Sequence, residues 1–330
     1  MKKILITGAS GFIGSFIVEK ALELGFDTYA GIRSSSSKQY LKDERIKFVD
    51  LNLSDKESLK KEFNNQKFDY IVHAAGLTKA QQKIDFEKVN FIATRNLVDA
   101  LIESNSIPEK FIFVSSMAAH GPGNDNDTIP VKCSDRAHPD TLYGISKLNA
   151  ENYINSLKAF PQITLRPTGV YGPREKDYFV FFKTINDGIE PYIGLKEQYL
   201  TFIYVRDFVD VVFKAINSPI IGKTYFVADG KGYTAKEFAD ITKRILNKKT
   251  FKLYVPLVIV KFIAVLLETV NGWFGKVPTL NRDKYNVLKA RNWLCDISEL
   301  ENDFNFKAKY YLEDGVKEAT DWYKKEKWLK

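Results

Sequence analysis

The chain of 330 residues contains only two cysteines, two methionines and three histidines. The cysteines, Cys133 and Cys295, lie far apart, and neither belongs to a CxxC pair or a Cys/His cluster. That excludes a disulfide scaffold and argues against a structural zinc site, so no metal centre is expected. Reduced thiols fit a cytoplasmic protein. No apolar run approaches the ~20 residues of a membrane span. The longest, Leu253–Leu267, has fifteen residues and carries Lys261. It reads as a buried helix of a second domain, with a membrane-touching helix or the wall of a lipid pocket as the alternatives. The opening MKKILITGAS imitates a signal peptide, but Thr7-Gly8 breaks the apolar run too early. There is no internal repeat, and Ser34–Ser37 is the only low-complexity run. Acid is the scarcer charge, at 41 residues against 49 basic, which leaves a net +8 and invites anionic partners. With 45% hydrophobic and 27% charged residues, the chain is neither disordered nor fibrous.

Short apolar runs alternate with helical patterns through the first half. Strand-like runs are Ile4–Thr7, Thr28–Ile32, Ile46–Val49, Tyr70–Ala74, Phe111–Ser115 and Ile163–Arg166. Helical patterns fall near Ile13–Leu24, Asp55–Phe63, Phe86–Ser104 and Tyr143–Leu157. Continuously apolar strands in a β-α alternation predict an α/β fold: a Rossmann-type, doubly wound parallel sheet covered on both faces. After Gly172-Pro173 the rhythm changes, with strands predicted at Thr201–Tyr204 and Lys223–Val227 and a terminal helix at Asp314–Lys327. Residues 1–172 are therefore expected to bind the cofactor and carry the catalytic groups. Residues 173–330 are expected to form a smaller, mostly helical substrate lobe, with segments near 201–217 returning to the first domain.

The strongest local signal is Thr7-Gly8-Ala9-Ser10-Gly11-Phe12-Ile13-Gly14, between a strand and a helix. Its three glycines permit a tight turn, close backbone approach to a pyrophosphate and close helix–strand packing. The N–H groups at the helix start then face the anion. The second strand ends in Arg33-Ser34-Ser35-Ser36-Ser37-Lys38, with no acid from Gly31 to Lys38. An acid there would bind a ribose 2′-OH. Instead Arg33, Ser34 and Ser36 offer donors to a 2′-phosphate, so NADP(H) is favoured and NAD(H) is the alternative. Asp50 and Leu51 are placed for the adenine, and Ala74-Ala75-Gly76 let the backbone approach the ribose and pyrophosphate. His73 reads as a core histidine.

Tyr143 and Lys147 are spaced i, i+4, which puts both on one helix face. A neighbouring ammonium and a positive nicotinamide would lower the phenol's pKa, so that Tyr143 exchanges a proton with a substrate oxygen. Lys147 would also bond the nicotinamide ribose. Ser115 and Ser116 lie at a strand end, 27 residues before Tyr143 counted from Ser116. A hydroxyl there gives the same oxygen a second hydrogen bond.

With TGASGFIG at Thr7–Gly14, HAAG at His73–Gly76, VNFIATRNL at Val89–Leu97, SSMAAHG at Ser115–Gly121, YGISK at Tyr143–Lys147 and RPTGVYGPRE at Arg166–Glu175, the sequence resembles the extended short-chain dehydrogenase/reductases. These are the NAD-dependent epimerase/dehydratase-like proteins. The resemblance implies Ser116, Tyr143 and Lys147 as catalytic residues, with Asn90 beside them. It also implies that main chain at Pro167 and Val170 borders the nicotinamide, and that the chain forms a homodimer. Nucleotide-sugar members usually read R-x-x-N-x-Y-G-P, the asparagine contacting the sugar nucleotide; here Gly169 takes that place. Dehydratases usually carry an Asp-Glu pair beside the catalytic hydroxyl, where this chain has Met117-Ala118. The wording RPTGVYGP looks more like the branch of 3β-hydroxysteroid dehydrogenases, dihydroflavonol reductases and ceramide-type keto-lipid reductases. The expectation is thus an NADP(H)-dependent oxidoreductase of a small, hydrophobic ketone or alcohol, cytoplasmic and in peripheral contact with membrane, with no nucleic-acid partner. The alternative is a nucleotide-sugar epimerase or reductase.

Overall fold

The computed structural model describes residues 1–273 and 280–329. Six strands arise where apolar runs were expected: β1 (Lys3–Thr7), β2 (Asp27–Ile32), β3 (Lys47–Asp50), β4 (Tyr70–His73), β5 (Lys110–Val114) and β6 (Gln162–Pro167). With Lys223–Val227 they form one seven-stranded sheet, ordered Lys223–Val227, β6, β5, β4, β1, β2, β3. Each pairing from β3 to β6 is parallel. The strand order reverses at β1, which is where ligands bind in such sheets. Every residue of β5 and β6 is buried, as expected for strands covered on both faces.

The helices that follow are α1 (Phe12–Glu23), α2 (Lys56–Asn65), α3 (Lys83–Phe86), α4 (Ala93–Glu103) and α5 (Leu142–Ser156). Asp55 caps α2 by accepting from the Ser58 N–H at 3.0 Å. The single helix expected over Phe86–Ser104 is instead α3, a π-helical turn at Glu87–Ile92, and α4. Leu59, Phe63, Leu97, Leu101, Phe111, Phe113 and Ile154 join in one buried apolar cluster.

The chain divides into two compact units. The first comprises Met1–His120, Leu142–Arg166 and Val209–Tyr225. The second comprises Gly121–Thr141, Pro167–Phe208 and Phe226–Lys330. The second unit has its own aromatic core, in which Phe181 stacks on Phe238 at 4.4 Å and Phe182, Phe202 and Tyr323 are buried. Its small sheets include Ile189–Ile193 paired in parallel with Phe251–Val255. The stretch Leu253–Leu267 is not one buried helix. A strand ends at Val255, Pro256 intervenes, and helix Leu257–Trp273 begins. Val260 and Ala264 are buried, whereas Val258, Phe262 and Leu266 are exposed. A helix apolar on all sides can pack only one of them against a single unit.

His73 is the core histidine expected. It is fully buried, stacks on Phe113 and hydrogen-bonds Thr7 Oγ1 at 2.6 Å and Thr94 Oγ1 at 2.8 Å. Burial, and secondarily Lys147, pushes its pKa down to about 3. Above its ordinary pKa of about 6.5, folded and unfolded chains both carry it neutral. As pH falls below that, the unfolded chain takes up a proton that the folded chain refuses until about pH 3. His73 therefore supports the fold fully above about pH 6.5, and that support drains away as the solution is acidified. Urea unfolding at about pH 7 and about pH 5 should show the wild type losing about 2 kcal/mol more than His73→Asn between the two. Parallel losses in the two proteins would place the acid sensitivity elsewhere.

Candidate active site

The glycine loop joins β1 to α1. Gly8 has φ +68°, and a Cβ there would lie 2.6 Å from the Ala75 nitrogen. A Cβ on Gly14 would lie 2.1 Å from the Gly8 carbonyl oxygen. Neither position accepts a side chain, so the loop, α1 and the β4 end are packed backbone to backbone. Gly11 is the N-cap of α1; it supplies no side-chain cap, and the first turn has no acid. The leading N–H groups, close to Ser10, Phe12 and Ile13, therefore suit an anion. Thr7 is buried, and its hydroxyl accepts from the Ala75 N–H at 3.3 Å, so its role is to hold the loop against Ala74-Ala75.

Arg33 is exposed, in a turn where Ser36 Oγ accepts the Arg33 N–H at 3.2 Å. Asp50 is drawn to the same turn and accepts the Ser34 N–H at 3.2 Å. Leu51 is buried in the apolar cluster beside Gly31, where its side chain completes the packing of β2. Its side chain is committed to that packing.

Ser116, Tyr143, Lys147 and Asn90 all belong to the first unit. Ser116 ends the β5 segment and caps the short 3₁₀ turn Met117–Ala119, accepting from the Ala118 N–H at 3.1 Å. It also hydrogen-bonds Tyr143. Tyr143, half-buried in the first turn of α5, packs near Phe86. With the chain's own groups, burial pushes its phenol up to about 12, and the Ser116 bond pulls the other way. Among the chain's own groups, desolvation of the phenolate outweighs the pull of Ser116; the lowering expected from a bound nicotinamide would act against this. One helical turn on, Lys147 is buried, donates to the Val114 carbonyl at 2.9 Å and sits 4.8 Å from the centre of the Phe113 ring. Burial pushes its ammonium down to about 8, against the pull of Glu151. A methyl group on Gly76 would come within 3.2 Å of Lys147 Nζ, so this glycine adjoins the ammonium.

Asn90 sits in the π-helical turn, fully buried and fully used. Its Oδ1 accepts the Leu77 N–H at 2.7 Å, and its Nδ2 donates to Leu77 O and to Ser146 Oγ, each at 3.0 Å. It is a positioning residue that ties the loop after β4 to α5. Pro167 and Val170 lie in the second unit: Pro167 ends β6, and Val170 pairs with Ile203. Also in that unit, a Cβ on Gly169 would fall 2.1 Å from the Tyr178 hydroxyl. The space an asparagine would need at 169 is taken by a phenol.

Sequence reasoning missed the ion pair behind the site. Glu151, one turn beyond Lys147, is buried and grips Arg166 of β6 through Nη2–Oε2 at 2.6 Å and Nε–Oε1 at 3.0 Å. The Ser115 hydroxyl also donates to Glu151. The i, i+4 spacing from Lys147 was a signal, but an acid on a mostly polar helix reads as solvated until its face is known. Among the described residues no cluster of His, Cys, Asp or Glu is placed to hold a metal ion.

A sequence model of the NAD dependent epimerase/dehydratase family matches residues 4–228. The UDP-glucose 4-epimerase of Vibrio cholerae is 27% identical over 97% of this chain and 94% of its own length. The dTDP-glucose 4,6-dehydratase of Escherichia coli is 23% identical over 97% and 93%. A crystal structure of UDP-glucose 4-epimerase with UDP-glucose from Thermotoga maritima superposes with a TM-score of 0.81 at 23% identity, over 98% of this chain and 99% of that one, a likeness of fold. These relatives are nucleotide-sugar enzymes rather than members of the steroid, flavonol or ceramide branch that RPTGVYGP suggested.

Removing one partner of the buried pair should be costly. Arg166→Met leaves the Glu151 carboxylate buried and uncompensated, and is expected to lose about 3–5 kcal/mol in urea unfolding. Adding Glu151→Leu should restore most of that loss. A single variant as stable as the wild type would show that the pair does not brace α5.

Proposed function

We propose, on the premise that this chain belongs to the NAD-dependent epimerase/dehydratase family of oxidoreductases, that it works by Tyr143-assisted hydride transfer at a carbinol or carbonyl carbon. The observation that carries this reading is the placement of Tyr143 one helical turn before the buried Lys147, with the Ser116 hydroxyl acting on the phenol, within the unit that holds the glycine loop. The loop fits a dinucleotide: an uncapped helix start faces a turn that excludes side chains at Gly8 and Gly14. When bound, the nicotinamide supplies the hydride acceptor or donor and a positive charge near the phenol. Tyr143 gives a proton to the substrate oxygen or takes one from it. Ser116 holds the same oxygen by a second hydrogen bond. Lys147 lends positive charge and bonds the cofactor ribose, and Asn90 keeps α5 in register.

For the cofactor, Arg33, Ser34 and Ser36 support NADP(H) by offering donors to a 2′-phosphate. Binding titrations should give NADPH at least about tenfold tighter than NADH, the effect of a charge-assisted contact worth ~1.5–3 kcal/mol. Arg33→Ala should erase the difference. Equal dissociation constants in the wild type would reject the assignment and leave NAD as the cofactor.

For the substrate, the relatives support a nucleotide-activated sugar, with oxidation and reduction at one sugar carbon. A second reading, a hydrophobic ketone, has a specific observation in its favour: Tyr178 fills the place where an asparagine would meet a sugar nucleotide. Calorimetry of the cofactor-loaded protein with UDP- and dTDP-sugars, and with long-chain keto lipids, separates the two. Micromolar binding of a sugar nucleotide alone supports the first, and binding of the lipids alone replaces it. With the substrate so identified, Tyr143→Phe should lower kcat by at least about 10²-fold while cofactor affinity holds. Near-normal turnover would remove Tyr143 from the chemistry.

A further inference from the structure

Between Asp240 and Glu268 the chain has no acid, and it carries Lys243, Arg244, Lys248, Lys249, Lys252 and Lys261. The same stretch holds a concentration of exposed apolar side chains. Along helix Leu257–Trp273, Val258 is 79% exposed, Phe262 68% and Leu266 50%. These are i, i+4 and i+8, one stripe, with Ile259 and Ile263 exposed beside it. Val260 and Ala264, on the opposite side, pack inward. The preceding strand adds exposed Phe251 and Leu253 on one side, Tyr254 stacking on Tyr192 on the other, and the neighbouring loop adds exposed Leu195, next to Gly194, whose N–H bonds the Val255 carbonyl at 2.9 Å. All of these residues belong to the second unit. Lys248, Lys249, Lys252 and Lys261 are exposed around them.

We propose that this face, formed by Phe251–Val255 and helix Leu257–Trp273, lies on the surface of an anionic lipid bilayer. The Val258/Phe262/Leu266 stripe enters the headgroup–acyl boundary, and the lysines meet lipid phosphates. Three observations select this occupant. A second copy of the chain, joined through the same face, would bring the exposed Lys248, Lys249, Lys252 and Lys261 toward like charges. No helix among the described residues is long and apolar enough to cross a membrane. An apolar stripe in a stretch of sequence that has exposed lysines and no acid is the chemistry of an interfacial helix on anionic lipid. The inference goes beyond the proposed reaction and does not depend on which substrate is turned over.

The experiment is flotation of the full-length chain with phosphatidylcholine vesicles, with and without phosphatidylglycerol. Binding is expected only with phosphatidylglycerol and should weaken as salt is raised. Val258→Ser/Phe262→Ser/Leu266→Ser should lower the partition constant at least about tenfold. Lys248→Gln/Lys249→Gln/Lys252→Gln should do the same, while cofactor binding and the unfolding midpoint stay as in the wild type. The lysine variant leaves the apolar stripe intact, so the test survives if the serine variant folds poorly. Absence of wild-type binding, or equal binding to both vesicles, overturns the proposal. So does a shift of the serine variant from dimer to monomer in light scattering, which would assign the face to a second copy.

Discussion

A carboxylate buried beside a sheet must be neutralised where it stands, and Glu151 meets that demand by holding Arg166 and Ser115 together. The contact joins α5 to the ends of β5 and β6, so α5 cannot slide along or roll on the sheet without exposing an unpaired charge to an apolar interior. Tyr143 and Lys147 ride on that helix. Their distance from Ser116, at the end of β5, is therefore set by an ion pair that touches none of the three hydroxyl, phenol or ammonium tips. Asn90 adds the second brace by pinning Leu77 to Ser146. The π-helical turn that carries it delivers a side chain at the needed angle, at the cost of regular helix geometry.

Desolvation organises the charges in the same region. His73 is kept neutral, Lys147 is pushed toward neutrality and the Tyr143 phenol is pushed up to about 12. All three shifts disfavour charge in a site enclosed by Phe113, Phe86 and the end of the sheet. A phenol so placed holds its proton firmly until a positive charge arrives near it. The groups needed for proton exchange are thus present beforehand, and the proposed chemistry waits on the bound dinucleotide.

Family membership accounts for the fold, and a shared fold hosts many activities. The features that bear on substrate and surface lie in the second unit. Tyr178 takes the space over Gly169, and the helix after Pro256 presents apolar side chains outward within an acid-free basic stretch. Substrate and location are properties of such surfaces.

What the sequence determined by itself is what local physics enforces. Continuous apolar runs made the parallel strands, Gly8 and Gly14 made the tight turn between β1 and α1 because no side chain fits there, and i, i+4 spacing put Tyr143 and Lys147 on one face. Tertiary structure alone decided whatever depends on burial from a distant segment. Nothing local distinguishes Glu151 from a solvated helix acid, and only Arg166, fifteen residues on and in another element, makes it a buried anchor. Nothing local shows that Leu51 turns inward beside Gly31, or that Tyr143 is desolvated enough to raise its pKa. The stretch Leu253–Leu267 is the same case in reverse. Its apolar pattern fits burial and membrane contact alike, and only the packing of Val260 and Ala264 leaves Val258, Phe262 and Leu266 facing out. Hydrophobicity measures a side chain's tendency to leave water, whereas the neighbour it leaves water for is set by the fold.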